Sequence, residues 1–123
     1  MVRALSDAGA TVAFTYRSSE AAAEEMVREI AAQGRTVIGY RSDASSARDA
    51  ARVVEAVLEE CGRLDILVNN AGVTRDGFLM RMSEEDWDSV ITNNLKSVYN
   101  FTRACSRPML GQRSGKIINI RRL

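Results

Sequence analysis

The chain has 123 residues, 46% of them hydrophobic, which suits one domain with a covered core. Seventeen Lys and Arg against sixteen Asp and Glu leave a net charge of +1, so charge argues for neither nucleic acid nor an anionic membrane as partner. There is no His, which excludes a His-based triad or zinc site, and no apolar run approaches the ~20 residues of a membrane span. The first residues are not expected to be a secretory signal, because Asp7 interrupts a short, weakly apolar start. Cys61 and Cys105 lack metal-ligand spacing and fall in helical patterns, so buried, reduced thiols of a cytoplasmic protein are expected.

In chain order, Met1 to Ala8 reads as two turns of helix. One phrase then recurs, a helix, a glycine and a β-rich run. Gly9 precedes the run Thr11–Tyr16, Gly34 precedes Arg35–Tyr40, and Gly62 precedes Arg63–Val68. Each glycine suits the left-handed residue that closes a helix. The spacing is that of successive βα units and predicts a parallel sheet.

The helices between fit this frame. Ser18 or Ser19 caps a helix over Glu20 to Gln33, with apolar positions at Ala22/Ala23, Met26/Val27 and Ile30. Ser46-Ala47-Arg48-Asp49 resembles a capping box and opens a helix to Cys61, striped by Ala50, Val53/Val54, Val57/Leu58 and Cys61. Ser83 opens a third helix with three acids in its first turn, running to Ser106 and stopping before Pro108. Ser114-Gly115 turns the chain into a short strand, Lys116–Ile120. Val73–Met82 is an apolar flap or a loop packed over a hydrophobic edge.

Asp65-Ile66-Leu67-Val68-Asn69-Asn70-Ala71-Gly72 is the stretch with most chemical content. Its apolar run lacks alternation, as in a strand covered on both faces. Asn69-Asn70-Ala71-Gly72 follows at the carboxyl end, the edge where open α/β sheets bind ligands; a plain turn is the alternative. Arg17 and Ser18 leave the first β-rich run. In a dinucleotide fold that position faces the adenosine ribose, and Arg there accommodates a 2′-phosphate; an exposed loop Arg fits equally. Asp43 could accept a bond from an adenine amine or cap the next helix. Asn94 falls on the apolar face formed by Trp87, Val90/Ile91, Leu95, Val98, Phe101/Thr102 and Cys105. There it either bonds a backbone carbonyl or water and distorts the helix, or holds a water or side chain of an active site.

Asp65 to Gly72, with Asp43 before and Thr92-Asn93-Asn94-Leu95 after, resembles the short-chain dehydrogenase/reductase family. Val73-Thr74-Arg75-Asp76, Leu79-Met80-Arg81-Met82 and Trp87 are similar to its 3-oxoacyl-[acyl-carrier-protein] reductase branch. The resemblance runs from Val2 to Ile120. It implies an α/β fold, a partial Rossmann-like parallel sheet flanked by helices, over a single, incomplete NAD(P)-binding domain, residues 1–123. It implies NADPH-dependent reduction of a β-ketoacyl thioester on acyl carrier protein, as in fatty-acid biosynthesis. Arg17 and Ser18 would hold the NADP 2′-phosphate, Asp43 and Ala44 the adenine, and Asn70, Ala71 and Gly72 the adenosine and ribose side. Asn94 matches the catalytic Asn, which holds a water in a proton relay to a Lys. The helix from Glu84 to Ser106 would join subunits of a homo-oligomer.

The departures are equally specific. The family's first, central strand and its Thr-Gly-x-x-x-Gly-x-Gly loop do not occur here, nor does the C-terminal part of the fold. Arg121-Arg122 stands where a catalytic Ser is expected, in text that looks out of frame. No Tyr-x-x-x-Lys occurs; Tyr99 and Arg103 mimic its spacing in the wrong helix. The expectation is therefore a fragment, inactive alone, marginally stable through bare strand edges, with NADP binding weak or absent. The alternatives are a non-catalytic nucleotide-binding or dimerisation module and a reductase of another small carbonyl compound.

Overall fold

A computed structural model of the chain describes residues 1–70 and 81–120. The order of elements is α1 (Val2–Asp7), β1 (Val12–Tyr16), α2 (Glu20–Ala32), β2 (Val37–Arg41), α3 (Ala47–Cys61), β3 (Ile66–Asn69), α4 (Glu84–Val90), α5 (Lys96–Gln112) and β4 (Lys116–Asn119). A π-type turn, Ile91–Leu95, joins α4 to α5. The chain forms two compact units, Met1–Asp43 and Ala44–Leu123. Each holds one two-stranded parallel sheet, β1 with β2 and β3 with β4. This is the expected pattern of short parallel strands flanked by helices.

In the first unit, Val12 of β1, Val37 of β2 and Ile30 of α2 form the core, with Val2, Phe14, Met26 and Val27 packed against it. The register sets Phe14 opposite Gly39 and Tyr16 opposite Arg41. Gly39 is glycine for a steric reason: a Cβ there would stand 2.8 Å from Phe14 Cζ and 3.3 Å from Tyr16 Cε1. In the second unit, α3 buries Ala50, Val53, Val54 and Val57, and α5 buries Phe101, Cys105 and Met109. These two helices pack together.

The local signals behave as their chemistry requires. Gly9, Gly34 and Gly62 have φ of 96°, 80° and 77°, a backbone that a Cβ would strain. Ser46 Oγ accepts from Asp49 N–H at 3.1 Å, and Ser83 Oγ from Asp86 N–H at 3.0 Å. Ser19 is the N-cap of α2, without a side-chain cap bond.

Three expectations are corrected. The third helix is not one continuous helix over Glu84–Ser106. The π-type turn adds a residue between α4 and α5, so the two stretches present different faces. Trp87, Ile91, Leu95 and Tyr99 are exposed, while Ser97, Asn100, Phe101, Cys105 and Met109 are buried. Nor does the helix stop before Pro108; it continues to Gln112. An interior proline costs about 3 kcal/mol. Beyond it, Met109 is buried and the Gln112 side chain bonds the backbone of Leu64, which offsets that cost. Finally, Cys61 is exposed at the last position of α3, and only Cys105 is buried.

Candidate functional site

The carboxyl edge of the first sheet carries three of the candidate residues. Ser42 N–H donates to the Tyr16 carbonyl at 2.9 Å, extending the β1–β2 ladder to its end. Arg17 and Ser18 leave β1 at that edge, and Asp43 leaves β2. Arg17 Nη2 lies 4.0 Å from Asp43 Oδ2, with the side chains 68% and 41% exposed. An exposed guanidinium at a strand's carboxyl end, with a hydroxyl next to it in sequence, is a donor set suited to a phosphate monoester. The neighbouring carboxylate can accept from an exocyclic amine. The residues present therefore fit the 2′-phosphate and adenine side of NADP.

The other described candidates belong to the second unit. Ala44 is half-buried, and its carbonyl accepts from Asn100 Nδ2 at 3.2 Å. Asn70 follows β3 directly and is half-buried. Ala71 and Gly72 lie outside the described residues, as do residues 73–80 of the flap and Arg121-Arg122-Leu123. Asn94 stands within the π-type turn and is half-buried. The helix is therefore distorted at the residue singled out for it. Next to it, Asn93 Nδ2 donates to the Ser89 carbonyl at 2.8 Å.

Around this second set, Asn69 was singled out at the strand end but not its partners, and Asn100 and Gln112 escaped the sequence reading. Asn69, 8% exposed, points its Nδ2 to Asn119 Oδ1 at 2.8 Å and lies 3.4 Å from Thr102 Oγ1. Asn100 holds the Ala44 carbonyl, and Gln112 holds Leu64. Their partners are 33 to 56 residues away in sequence, so no local pattern marks them. A burial signal existed for Asn69, at the end of an apolar run without alternation, and for Asn100, which shares the helical face of Phe101 and Cys105.

An open groove of about 950 Å³ runs beside α5 in the second unit. Ile91, Leu95, Tyr99 and Ile117 supply apolar lining, and Lys96 and Arg103 supply its cations. Arg103 Nη1 donates to the Tyr99 hydroxyl at 3.2 Å. Among the described residues, no group of three or more His, Cys, Asp or Glu side chains could hold a metal ion. Nor, among them, is any helix long and apolar enough to cross a membrane.

The family model described as short chain dehydrogenase matches residues 1–121. Over 116 residues the chain is 43% identical to the 3-oxoacyl-[acyl-carrier-protein] reductase FabG of Staphylococcus aureus, a match covering 94% of this chain and 47% of that protein. It is 43% identical over 117 residues to the 3-oxoacyl-[acyl-carrier-protein] reductase of a Synechocystis species, covering 95% and 47% respectively. The chain thus spans about half the length of these curated relatives. A solved metagenomic short-chain oxidoreductase in complex with NADP superposes with a TM-score of 0.88 at 38% identity, over 99% of this chain and 55% of that one. A gluconate 5-dehydrogenase from Burkholderia cenocepacia, in complex with NADP and tartrate, gives 0.85 at 31% identity, over 96% and 46%.

Proposed function

We infer the function from one premise: the chain belongs to the short-chain dehydrogenase family. We propose that it is the nucleotide-binding portion of an NADPH-dependent reductase that converts a β-ketoacyl thioester on acyl carrier protein to the 3-hydroxyacyl form in the cytoplasm. The observation that carries the cofactor assignment is the exposed Arg17 guanidinium beside Asp43 at the carboxyl edge of β1 and β2. The substrate class is drawn from the printed names of the Staphylococcus and Synechocystis relatives.

In this reading Arg17 and Ser18 hold the 2′-phosphate, Asp43 and Ala44 meet the adenine, and Asn70, Ala71 and Gly72 line the adenosine and ribose side. Asn94 holds a water of the proton relay. Bound NADPH supplies the hydride. The 123 residues contain no Thr-Gly-x-x-x-Gly-x-Gly loop to cradle a pyrophosphate, so on their own they bind NADPH weakly, and no Tyr-x-x-x-Lys to protonate the alkoxide, so they do not turn over. Single, incomplete Rossmann-like domain remains the organisation proposed for residues 1–123.

The test is to replace the matching segment of the Staphylococcus reductase with these residues and assay acetoacetyl thioester reduction. The proposal expects NADPH to be preferred over NADH, and Arg17→Ala to raise KM for NADPH alone. Equal use of both cofactors sinks the Arg17 assignment. Reduction of other small ketones without thioester reduction points to a different carbonyl substrate. NADPH oxidation by the 123 residues alone contradicts their inactivity.

A second reading, a dimerisation module, rests on the stretch from α4 to α5. Trp87, Ile91, Leu95 and Tyr99 form an exposed stripe. Glu84, Glu85, Asp86 and Asp88 cluster at its amino end in α4, while Lys96, Arg103 and Arg107 lie along α5, Arg113 caps its end, and no acid follows Asp88. A second copy lying antiparallel would set acids against bases and bury the stripe, so a homo-oligomer through residues 84–106 is part of the proposal.

A further inference from the structure

β4 is exposed at all four of its positions, and its two central residues, Ile117 and Ile118, point to opposite faces while both remain exposed. A strand with no buried face has no hydrophobic pattern to oppose a one-residue slip. β4 nevertheless occupies one register, from Ile66 opposite Lys116 to Asn69 opposite Asn119.

Side-chain amides mark both ends of that register. At the amino end, Gln112 takes both backbone groups of Leu64. Leu64 N–H donates to Gln112 Oε1 at 3.0 Å, and Gln112 Nε2 donates to the Leu64 carbonyl at 2.8 Å. The same Nε2 reaches the Ser114 carbonyl at 3.2 Å, so the amide stands where the next peptide group of a neighbouring strand would stand. The backbone ladder takes over one residue later, with Lys116 N–H donating to the Asp65 carbonyl at 2.9 Å. At the carboxyl end, Asn69 Nδ2 donates to Asn119 Oδ1, and Ile120 N–H donates to the Asn69 carbonyl at 3.0 Å. A slip of one residue would turn Asn119 to the face opposite Asn69 and move Lys116 off Asp65, while Gln112 stays fixed at the end of α5.

We propose that Gln112 and Asn69 together lock the β3–β4 register, and that Gln112 is thereby a positioning residue for the sheet edge bearing Asn70. The lock stands on its own geometry; only the consequence for a nucleotide rests on the role proposed for Asn70. Gln112 acts as a surrogate strand residue, donating and accepting at once, so its function needs both halves of the amide.

That requirement supplies the test. Amide hydrogen exchange is followed by NMR at Leu64 and Lys116, with Val54 of α3 as the reference for global opening and no nucleotide present. Gln112→Met keeps the length and removes both bonds. Its protection at Leu64 and Lys116 is expected to fall about tenfold relative to Val54. Gln112→Glu at pH 7 can accept from Leu64 N–H but not donate to its carbonyl, so it also loses protection. A Glu side chain takes up a proton near pH 4.3 and then carries a donor and an acceptor. Lowering the pH to about 4 should therefore restore protection in Gln112→Glu, corrected for intrinsic exchange, and not in Gln112→Met. If Gln112→Met lowers protection at Val54 as much as at Lys116, the comparison of Gln112→Glu at the two pH values decides alone. Wild-type protection in Gln112→Met, or no recovery of Gln112→Glu at low pH, overturns the lock. Neither outcome bears on whether Asn70 meets a nucleotide.

Discussion

Arg17 and Asp43 face each other across the carboxyl ends of two paired strands, Nη2 to Oδ2, 4.0 Å apart. Both side chains are exposed, so the pair contributes little, about 0–1 kcal/mol, and less in salt. Asp43→Asn is therefore expected to change unfolding free energy by less than about 1 kcal/mol in urea titration. A larger loss would make this contact a structural element rather than a loosely held donor available to a phosphate.

Gly39 tests the packing of the first sheet. A Cβ at 39 would meet the Phe14 ring at 2.8 Å, against the tilted Phe14–Tyr16 pair whose centroids lie 6.2 Å apart. Overpacking of this kind costs about 1–3 kcal/mol, so Gly39→Ala should lower stability by that amount. Phe14→Leu added to Gly39→Ala should recover part of the loss, and a double-mutant cycle by urea denaturation measures it. Strict additivity would show that the two positions do not touch.

The two thiols should separate cleanly. Burial pushes the Cys105 thiol from 9.0 up to about 11, whereas Cys61 is exposed. A thiol-directed reagent should label Cys61 quickly and Cys105 only on unfolding, as read by mass spectrometry. The pH dependence has a defined sign. Between about 9 and about 11 the unfolded chain has lost the Cys105 proton and the folded chain keeps it. Stability contributed by this group is thus full below pH 9 and falls as pH rises through that window. Cys105→Ala should flatten that part of the profile.

The exposed stripe on α4 and α5 predicts concentration-dependent association. Leu95→Asp places a charge in the middle of the stripe and should shift light-scattering mass toward monomer. Raising salt should weaken association too, because the proposed pairing opposes Glu84–Asp88 to the cations of α5. Unchanged mass in both experiments would remove residues 84–106 from the assembly.

The fold was legible where local chemistry decides it. Glycine at 9, 34 and 62, and serine at 46 and 83, signal helix ends because only certain residues serve a positive φ or an orphan N–H, and the structure uses each as such. Candidate site residues at strand ends follow from the same reading, since βα alternation places those ends. The π-type turn at Ile91–Leu95 was not legible as such. One added residue shifts a helical face without any change of composition, so a periodicity count slides past it. The continuation of α5 beyond Pro108 depends on Gln112 meeting Leu64, 48 residues away, which a local rule about proline does not contain. Cys61 illustrates the remaining failure. It completes an apolar stripe on paper but is the last residue of α3, beyond its buried face.

We propose that the carboxyl edge of β1 and β2 is built for the phosphorylated adenosine of NADP. Its most direct measurement is an NMR titration of the chain with 2′,5′-ADP and, in parallel, ADP. Saturable shifts of the Arg17, Ser18 and Asp43 amides are expected with 2′,5′-ADP, in the range of about 1 mM, weakening about tenfold with ADP or in Arg17→Ala. Equal responses to both nucleotides, or shifts that bypass these three residues, would contradict it.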